Sequence, residues 1–287
     1  MTVGEVFMEE LIIRKDNRIV QKTINKFTYK QNQLMALLLG KFINLKDNVC
    51  LDTSITISEI QKCLGLSDGA ENYDAIKRAI LQFGENGSIG CLEQNKKGEY
   101  EYVWRPYFKE IRLNESECIF SWNNLMKPYL IELRNNYTQY LASDYLKLKN
   151  VHSQNLYEQL KSLENFNTKY GKNPEIYVED IRNILQTNGK KAYDRWGALK
   201  QLVLDKAIKE INEVTDIEVT YTTKKRGKNV VAVVFDIKRK NWNYTKKQKE
   251  NIPDWYNQTQ ATIPSDDLLD QVKALQEQMF EPENIND

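Results

Sequence analysis

The chain has 287 residues, of which 41% are apolar and 28% charged; it is long enough for two cores of ordinary size and too apolar to stay unfolded. Its net charge is only +1, yet residues 188–249 carry 16 Lys/Arg and 7 Asp/Glu, a net of +9, and residues 250–287 carry 9 acids and one Lys, a net of −8. The neutral total therefore hides a basic domain beside an acidic tail, and that asymmetry suits an anionic partner.

In chain order, residues 1–26 are polar and mixed, with Leu11 to Ile13 and Ile19-Val20 as a short strand pair or an arm. Residues 27–43 are predicted as a helix, because Leu34, Leu37, Leu38 and Phe42 share one face. Thr56-Ile57-Ser58-Glu59 has the capping-box form and precedes a short helix that Gly65 can end. A second helix is expected over 72–83, with Ile76, Ala79, Ile80 and Phe83 inward. A strand pair follows around a turn at Asn95-Lys96-Lys97-Gly98, then a strand at 119–122 and a helix over 125–133 with Pro128 near its start. Residues 137–149 and 153–166 both show helical spacing, 171–174 is a loop, and 176–185 is a short helix with a lead-in strand.

Residues 192–240 organise the rest. Leu199, Val203, Ala207 and Ile211 repeat every four residues, with Trp196, Leu204 and Ile208 widening the stripe, so Trp196 is read as core. Arg195, Lys200, Gln201, Lys206 and Lys209 lie opposite. Ile217, Val219 and Tyr221 alternate with polar residues, 230–237 is rich in β-branched residues, and Lys224-Lys225-Arg226-Gly227-Lys228 lies between, which predicts a hairpin with a cationic tip. A basic amphipathic helix fits the major groove of DNA, and such a tip reaches a neighbouring backbone or minor groove.

An internal repeat supports this. Ile55 to Leu64 (ITISEIQKCL) lies over Ile176 to Leu185 (IYVEDIRNIL) without gaps, and AIKRAIL from Ala75 lies over ALKQLVL from Ala198 at nearly the same offset. Each copy is followed by a Lys-rich Gly turn between strands. The repeating unit is a winged helix, whose last helix is the reader. The expected fold class is thus α+β, mostly α, with two tandem winged-helix domains. The expected division is an arm at 1–26, winged helices at 27–135 and 136–240, and a linker and acidic tail at 241–287.

The second copy carries Tyr145-Leu-Lys-Leu-Lys149, Leu156-Tyr-Glu-Gln-Leu160 and Leu204-Asp-Lys-Ala-Ile-Lys-Glu-Ile-Asn212, then Thr215-Asp216-Ile217 and the Lys-Lys-Arg-Gly turn. These strings resemble the Rep_3 family of plasmid replication initiators, over most of residues 27–240. The resemblance implies two winged-helix domains that bind repeated origin sites (iterons), help open AT-rich DNA, recruit host replication proteins and, as dimers, repress their own promoter. The first half is where the resemblance implies the dimer surface. Many relatives have a more Arg-rich start to the last helix; Asp194, Gly197 and Gln201 stand there in this chain, so its iteron should differ.

For base edges the candidates are Arg195, Lys200 and Gln201, since Arg or Lys can donate to guanine O6 and N7 and Gln can pair with adenine. Tyr193 is a candidate for a phosphate or a thymine methyl, and Lys224, Lys225, Arg226 and Lys228 for backbone or minor groove. In the first copy the candidates are Tyr73, Lys77 and Arg78 on the helix and Lys96 and Lys97 in the wing. No cofactor is expected, and no enzyme activity: there is no G-x-x-x-x-G-K-[ST], and a single His152 leaves no His pair for a nicking site. Cys50, Cys63, Cys91 and Cys118 are scattered, which suits free thiols in a reducing bacterial cytoplasm, and neither a signal peptide nor a membrane span is expected. Expected partners are double-stranded origin DNA, a host helicase or primase component, and a second copy of the chain. A winged-helix transcription regulator and a protein-interaction module remain open from the residues alone. Ser265-Asp266-Asp267 can cap a short acidic amphipathic helix suited to docking on a partner protein.

Overall fold

In a computed structural model the described residues are 11–21, 27–44, 49–50, 52–115, 117–131, 133 and 136–240. The first ten residues of the expected arm and the whole expected tail, 241–287, lie outside them.

β1 (Ile12–Asp16) leads into α1 (Asn17–Gln21), so Ile19-Val20 is helical and not the second strand of a local pair. The partner of β1 is β9 (Tyr137–Leu141), running antiparallel to it with Ile13 opposite Tyr140. This corrects the helix expected over 137–149. Thr138 and Tyr140 point into the core at a period of two, and Thr138 Oγ1 donates to Asn17 Oδ1 at 2.5 Å. The decisive partner is more than a hundred residues away, where a local helical spacing does not see it. Only α6 (Ala142–Lys147) remains of that helix.

α2 (Tyr29–Phe42) buries Leu34, Leu37 and Leu38, as its spacing required. It leads into the short pair β2 (Ile43–Asn44) and β3 (Val49–Cys50). After β4 (Thr53–Ile55), α3 (Ile57–Cys63) begins with the full capping box: Thr56 Oγ1 accepts from Glu59 N at 3.0 Å, and Glu59 Oε2 accepts from Thr56 N at 2.8 Å. It ends at Gly65, φ +63°, with Gly65 N donating to Lys62 O and Leu66 N to Gln61 O, the Schellman pattern. α4 (Ala70–Asn86) is longer than expected, and its buried residues are Ile76, Ala79, Ile80 and Phe83.

Two hairpins follow: β5 (Ser88–Gln94) with β6 (Tyr100–Pro106), and β7 (Phe108–Leu113) with β8 (Cys118–Trp122). A 3₁₀ turn at Asn124–Met126 and the single-turn α5 (Lys127–Leu130) stand where a helix over 125–133 was expected. α7 (Val151–Ser162) is capped by Asn150, whose Oδ1 accepts from Ser153 N at 2.9 Å, and α8 (Phe166–Tyr170) is a separate short helix, so the helix expected over 153–166 breaks at Leu163. The second unit is β10 (Glu175–Tyr177), α9 (Val178–Ile184), α10 (Trp196–Leu199), a π turn (Lys200–Leu204), α11 (Asp205–Val214), β11 (Ile217–Arg226) and β12 (Asn229–Arg239).

Sheet order shows the duplication. In the first copy it is β4-β8-β7, and in the second β10-β12-β11: each lead-in strand pairs with the last strand of its hairpin. The topological wing of the first copy is therefore β7–β8, closed between Asn114 and Glu117, where Asn114 N donates to Glu117 O. β5–β6, with the Lys-rich turn, is an added two-stranded sheet between α4 and that wing. The two Lys-rich turns are not equivalent, contrary to the sequence expectation.

The core is one cluster running from Ile13 to Phe235. α7 joins the copies: Asn155 Oδ1 accepts from Asn32 Nδ2 of α2, and Asn155 Nδ2 donates to Ile184 O of α9. At its other end Lys161 is buried, paired with Asp216 at 2.8 Å and Glu164 at 2.5 Å, and Tyr157 Oη donates to the second Asp216 oxygen at 2.8 Å. The nearby Asp144 carboxyl is fully buried, Lys147 meets one oxygen at 3.4 Å, and among the described residues no group bonds the other.

Burial, reinforced by the charge of Asp216, pushes the Asp144 carboxyl up to about 6. An acid whose pKa is raised on folding contributes stability below its unfolded pKa and loses it as pH rises through its folded pKa. Stability should therefore fall by about 3 kcal/mol between pH 4 and pH 7 on account of this group. Asp144→Asn should match the parent at pH 4 and exceed it by about 1–3 kcal/mol at pH 8, measured by urea unfolding. Asp216→Ala leaves the buried Lys161 ammonium with Glu164 alone and the Tyr157 hydroxyl without its acceptor, and should cost about 3–5 kcal/mol. In the same melts, Glu213→Ala, which removes the exposed Lys209–Glu213 pair, should cost less than about 1 kcal/mol.

Candidate nucleic-acid interface

The second copy builds a helix and a hairpin held rigidly from behind. A stripe repeating every four residues overshoots a 3.6-residue turn by about 40° each time, so on an ideal helix it would wind away from the core. The π turn absorbs the excess, with Asp205 N donating to Lys200 O five residues back. Leu199, Val203, Ala207 and Ile211 all stay buried as a result, together with Leu204 and Ile208. Trp196 is partly buried against the core, as its place on the stripe implied.

Two polar residues anchor this composite helix. Glu210 accepts from Lys149 N and from Asn150 Nδ2, both at 2.6 Å, tying it to the start of α7. The Asn212 amide bonds both ways to the Val219 backbone, at 2.7 and 2.9 Å, and so sets the origin of β11. The hairpin closes through a two-residue turn, Gly227-Lys228, with Gly227 at φ +62°, a conformation that glycine adopts without strain. A register shift between Lys224 and Lys225 bends the tip.

The predicted residues divide by what they touch. Lys200 is paired with Asp205 at 2.7 Å and lies over the Tyr221 ring, so its charge is partly neutralised and it leans towards β11. Lys224 is paired with Glu175 of β10. By contrast Arg195, Lys225, Arg226 and Lys228 are exposed and have no ion pair among the described residues, and Gln201 is exposed beside them on the helix. Tyr193 is half-buried against the core, and its carbonyl accepts from Arg182 at 2.6 Å. Arg182 also donates to Asp194 O at 2.8 Å, clamping the entry to the helix. Sequence reasoning missed this clamp, and it passed over the adjacent Lys190 and Lys191, both exposed just before the helix; two consecutive lysines at a helix entry were the available signal.

In the first copy Lys77 and Arg78 are exposed on the outer face of α4, while Tyr73 is half-buried with its hydroxyl 3.4 Å from Glu115 O. Lys96 and Lys97 are exposed at the β5–β6 tip, where Asn95 Oδ1 accepts from Lys97 N and Glu99 N. That hairpin is the added one, so the structure does not bring these lysines onto the topological wing. His152 is half-buried and bonds Leu185 O through Nδ1 at 2.5 Å. No group of His, Cys, Asp or Glu among the described residues could hold a metal, and no helix among them is long and apolar enough to cross a membrane.

A solved structure of the Pi initiator protein in complex with iteron DNA is similar to this chain at 17% identity and a TM-score of 0.58, covering 81% of this chain and 99% of that one. Domains 2 and 3 of RctB give a TM-score of 0.43 at 14% identity, covering 72% of this chain and 82% of that one. At these identities the Pi likeness speaks for the fold. Residues 12–161 match the family described as Initiator Replication protein, WH1, and residues 177–237 match Initiator Rep protein, WH2. With both winged helices accounted for, the chain belongs to the replication initiator protein family.

Proposed function

We propose that this initiator binds double-stranded DNA at repeated sites in a plasmid origin and starts replication there. The observation that carries the reading is the partition of cations within the second copy: Arg195, Lys225, Arg226 and Lys228, which have no ion pair among the described residues, stand exposed at the helix start and the wing tip, whereas Lys200 and Lys224 are held by Asp205 and Glu175. Arg195 and Gln201 read base edges; Lys225, Arg226 and Lys228 hold phosphates or the minor groove; the Tyr193 hydroxyl and Lys190 and Lys191 add contacts at the helix entry. Lys200 and Lys224 join only by exchanging Asp205 and Glu175 for DNA. Tyr73, Lys77 and Arg78 form the corresponding face of the first copy, with Lys96 and Lys97 reaching the backbone from the added hairpin.

In this reading residues 27–135 and 136–240 each engage one major-groove segment, so a protomer covers about 20 bp. Site-bound protein opens neighbouring AT-rich DNA, recruits host replication proteins in the bacterial cytoplasm, and as a dimer represses its own promoter. The complex of the Pi relative with iteron DNA supports binding at repeated sites.

A footprint of the purified protein on the DNA flanking its own gene should protect several direct repeats of about 20 bp, with adjacent AT-rich DNA becoming reactive to a single-strand probe. One protected inverted repeat without melting would instead make the protein a promoter regulator. With six to ten phosphates neutralised, affinity should fall about 10³–10⁵-fold between 50 and 200 mM salt; a flat response would overturn the mechanism. Removing residues 250–287 should leave the footprint intact and impair replication in cells, and unchanged replication would reject a recruiting role for the acidic segment.

A further inference from the structure

Among the described residues, five large apolar side chains are substantially exposed: Leu81, Trp104, Leu125, Tyr177 and Leu202. A lone exposed leucine is ordinary on a protein surface. Leu202, however, is 48% exposed on the composite helix of the second copy, within its cationic face. Arg195, Ala198, Leu202, Lys206 and Lys209 follow one another at spacings of three and four and so form one row. In that row Leu202 stands between cations and makes no use of water.

Its neighbours leave room for a close approach. Ala198 is one turn before it, and at Gly197 nothing lies within 4 Å of the place a side chain would occupy. The π turn contributes as well. By keeping Leu199 and Val203 against the core, it leaves Gln201 and Leu202, two of the three residues between them, facing outward as an amide next to a branched apolar group, while Lys200 is only half-exposed and paired with Asp205. In the major groove the one apolar feature presented by a base is the C5-methyl group of thymine, and the amide partner of an A·T pair is adenine N6/N7.

We propose that Leu202 determines specificity by packing on the 5-methyl group of a thymine, next to an adenine read by Gln201. The proposal rests on the DNA-reading function argued above and adds the base class that this part of the helix selects: an A·T pair, in a position where a basic residue would have selected guanine.

The test uses the full chain and the duplex protected in the footprint, with each thymine replaced in turn by deoxyuridine, which keeps every hydrogen-bonding group and lacks only the methyl. At one or two positions the replacement should weaken binding about five- to tenfold. Leu202→Ala should bind the parent duplex more weakly by about the same factor and be indifferent to deoxyuridine at those positions. Its unfolding curve should overlay the parent's, because Leu202 is exposed. Tolerance of deoxyuridine at every position, or an undiminished penalty in Leu202→Ala, would overturn the assignment to Leu202 while leaving origin binding intact. Failure of the unaltered protein to prefer the protected duplex over a scrambled one would overturn the DNA reading, and this proposal with it.

Discussion

The buried contact of Lys161 with Asp216, completed by the Tyr157 hydroxyl and Glu164, fixes everything that faces outward in the second copy. A buried ammonium is tolerable only when nearly every proton it carries has an acceptor, so the geometry around it is narrow. Asp216 is the second of the two residues between the composite helix and β11, and Lys161 is on α7, the helix that also contacts the first copy. One carboxylate therefore decides at what angle the helix leaves the core and where the hairpin begins. Glu210 and Asn212 add a second and third constraint on the same two elements. A surface meant to fit a rigid groove needs support of this kind behind it.

This bears on why the family resemblance was readable where it was. Of the strings that carry it, Leu156 to Leu160, Leu204 to Asn212 and Thr215 to Ile217 contain Tyr157, Glu210, Asn212 and Asp216, all bonded within the fold. None of these is in the exposed cationic set. Apart from the exposed Lys-Lys-Arg-Gly turn, the resemblance is thus written largely in supporting contacts, while the residues proposed to choose a sequence, Arg195, Gln201 and Leu202, stand on the face where the fold imposes little.

Much of the fold was legible because it is local. The Thr56–Glu59 box, the inward stripe of α4 and the glycine turn of the second wing are each set by residues within one or two turns of each other, and each formed as read. The strict period of four in the last helix also held a signal, since only a π turn keeps such a stripe in line. The strand at Tyr137–Leu141 and the separation of the two first-copy hairpins were not legible, because strand partners are chosen across the whole chain. The repeat was visible in its helices and misleading in its turns. Gly65 and Gln186 occupy the same Schellman position, and Gln186 adopts φ +50°, a conformation costly for a residue with a side chain. Its amide donates to Phe27 O at 3.1 Å, so the second copy has a tie to the first where the first copy has a free glycine.

For the proposed site, composition drew attention to the region, and the ion pairs of the structure distinguish its lysines from one another. A +9 segment says only that cations are in excess; it does not distinguish a lysine held by Asp205 or Glu175 from one facing open solvent. That distinction matters for affinity. An intramolecular partner must be released before a phosphate is bound, and the released carboxylate then lies near the DNA and repels it. Such lysines contribute little to counterion release and more to deciding which bound geometry is allowed. In the proposed site Arg195, Lys225, Arg226 and Lys228, like the exposed Lys190, Lys191 and Lys206, carry no such obligation, so the long-range attraction would come from them, and the paired lysines would act only once helix and wing are already seated.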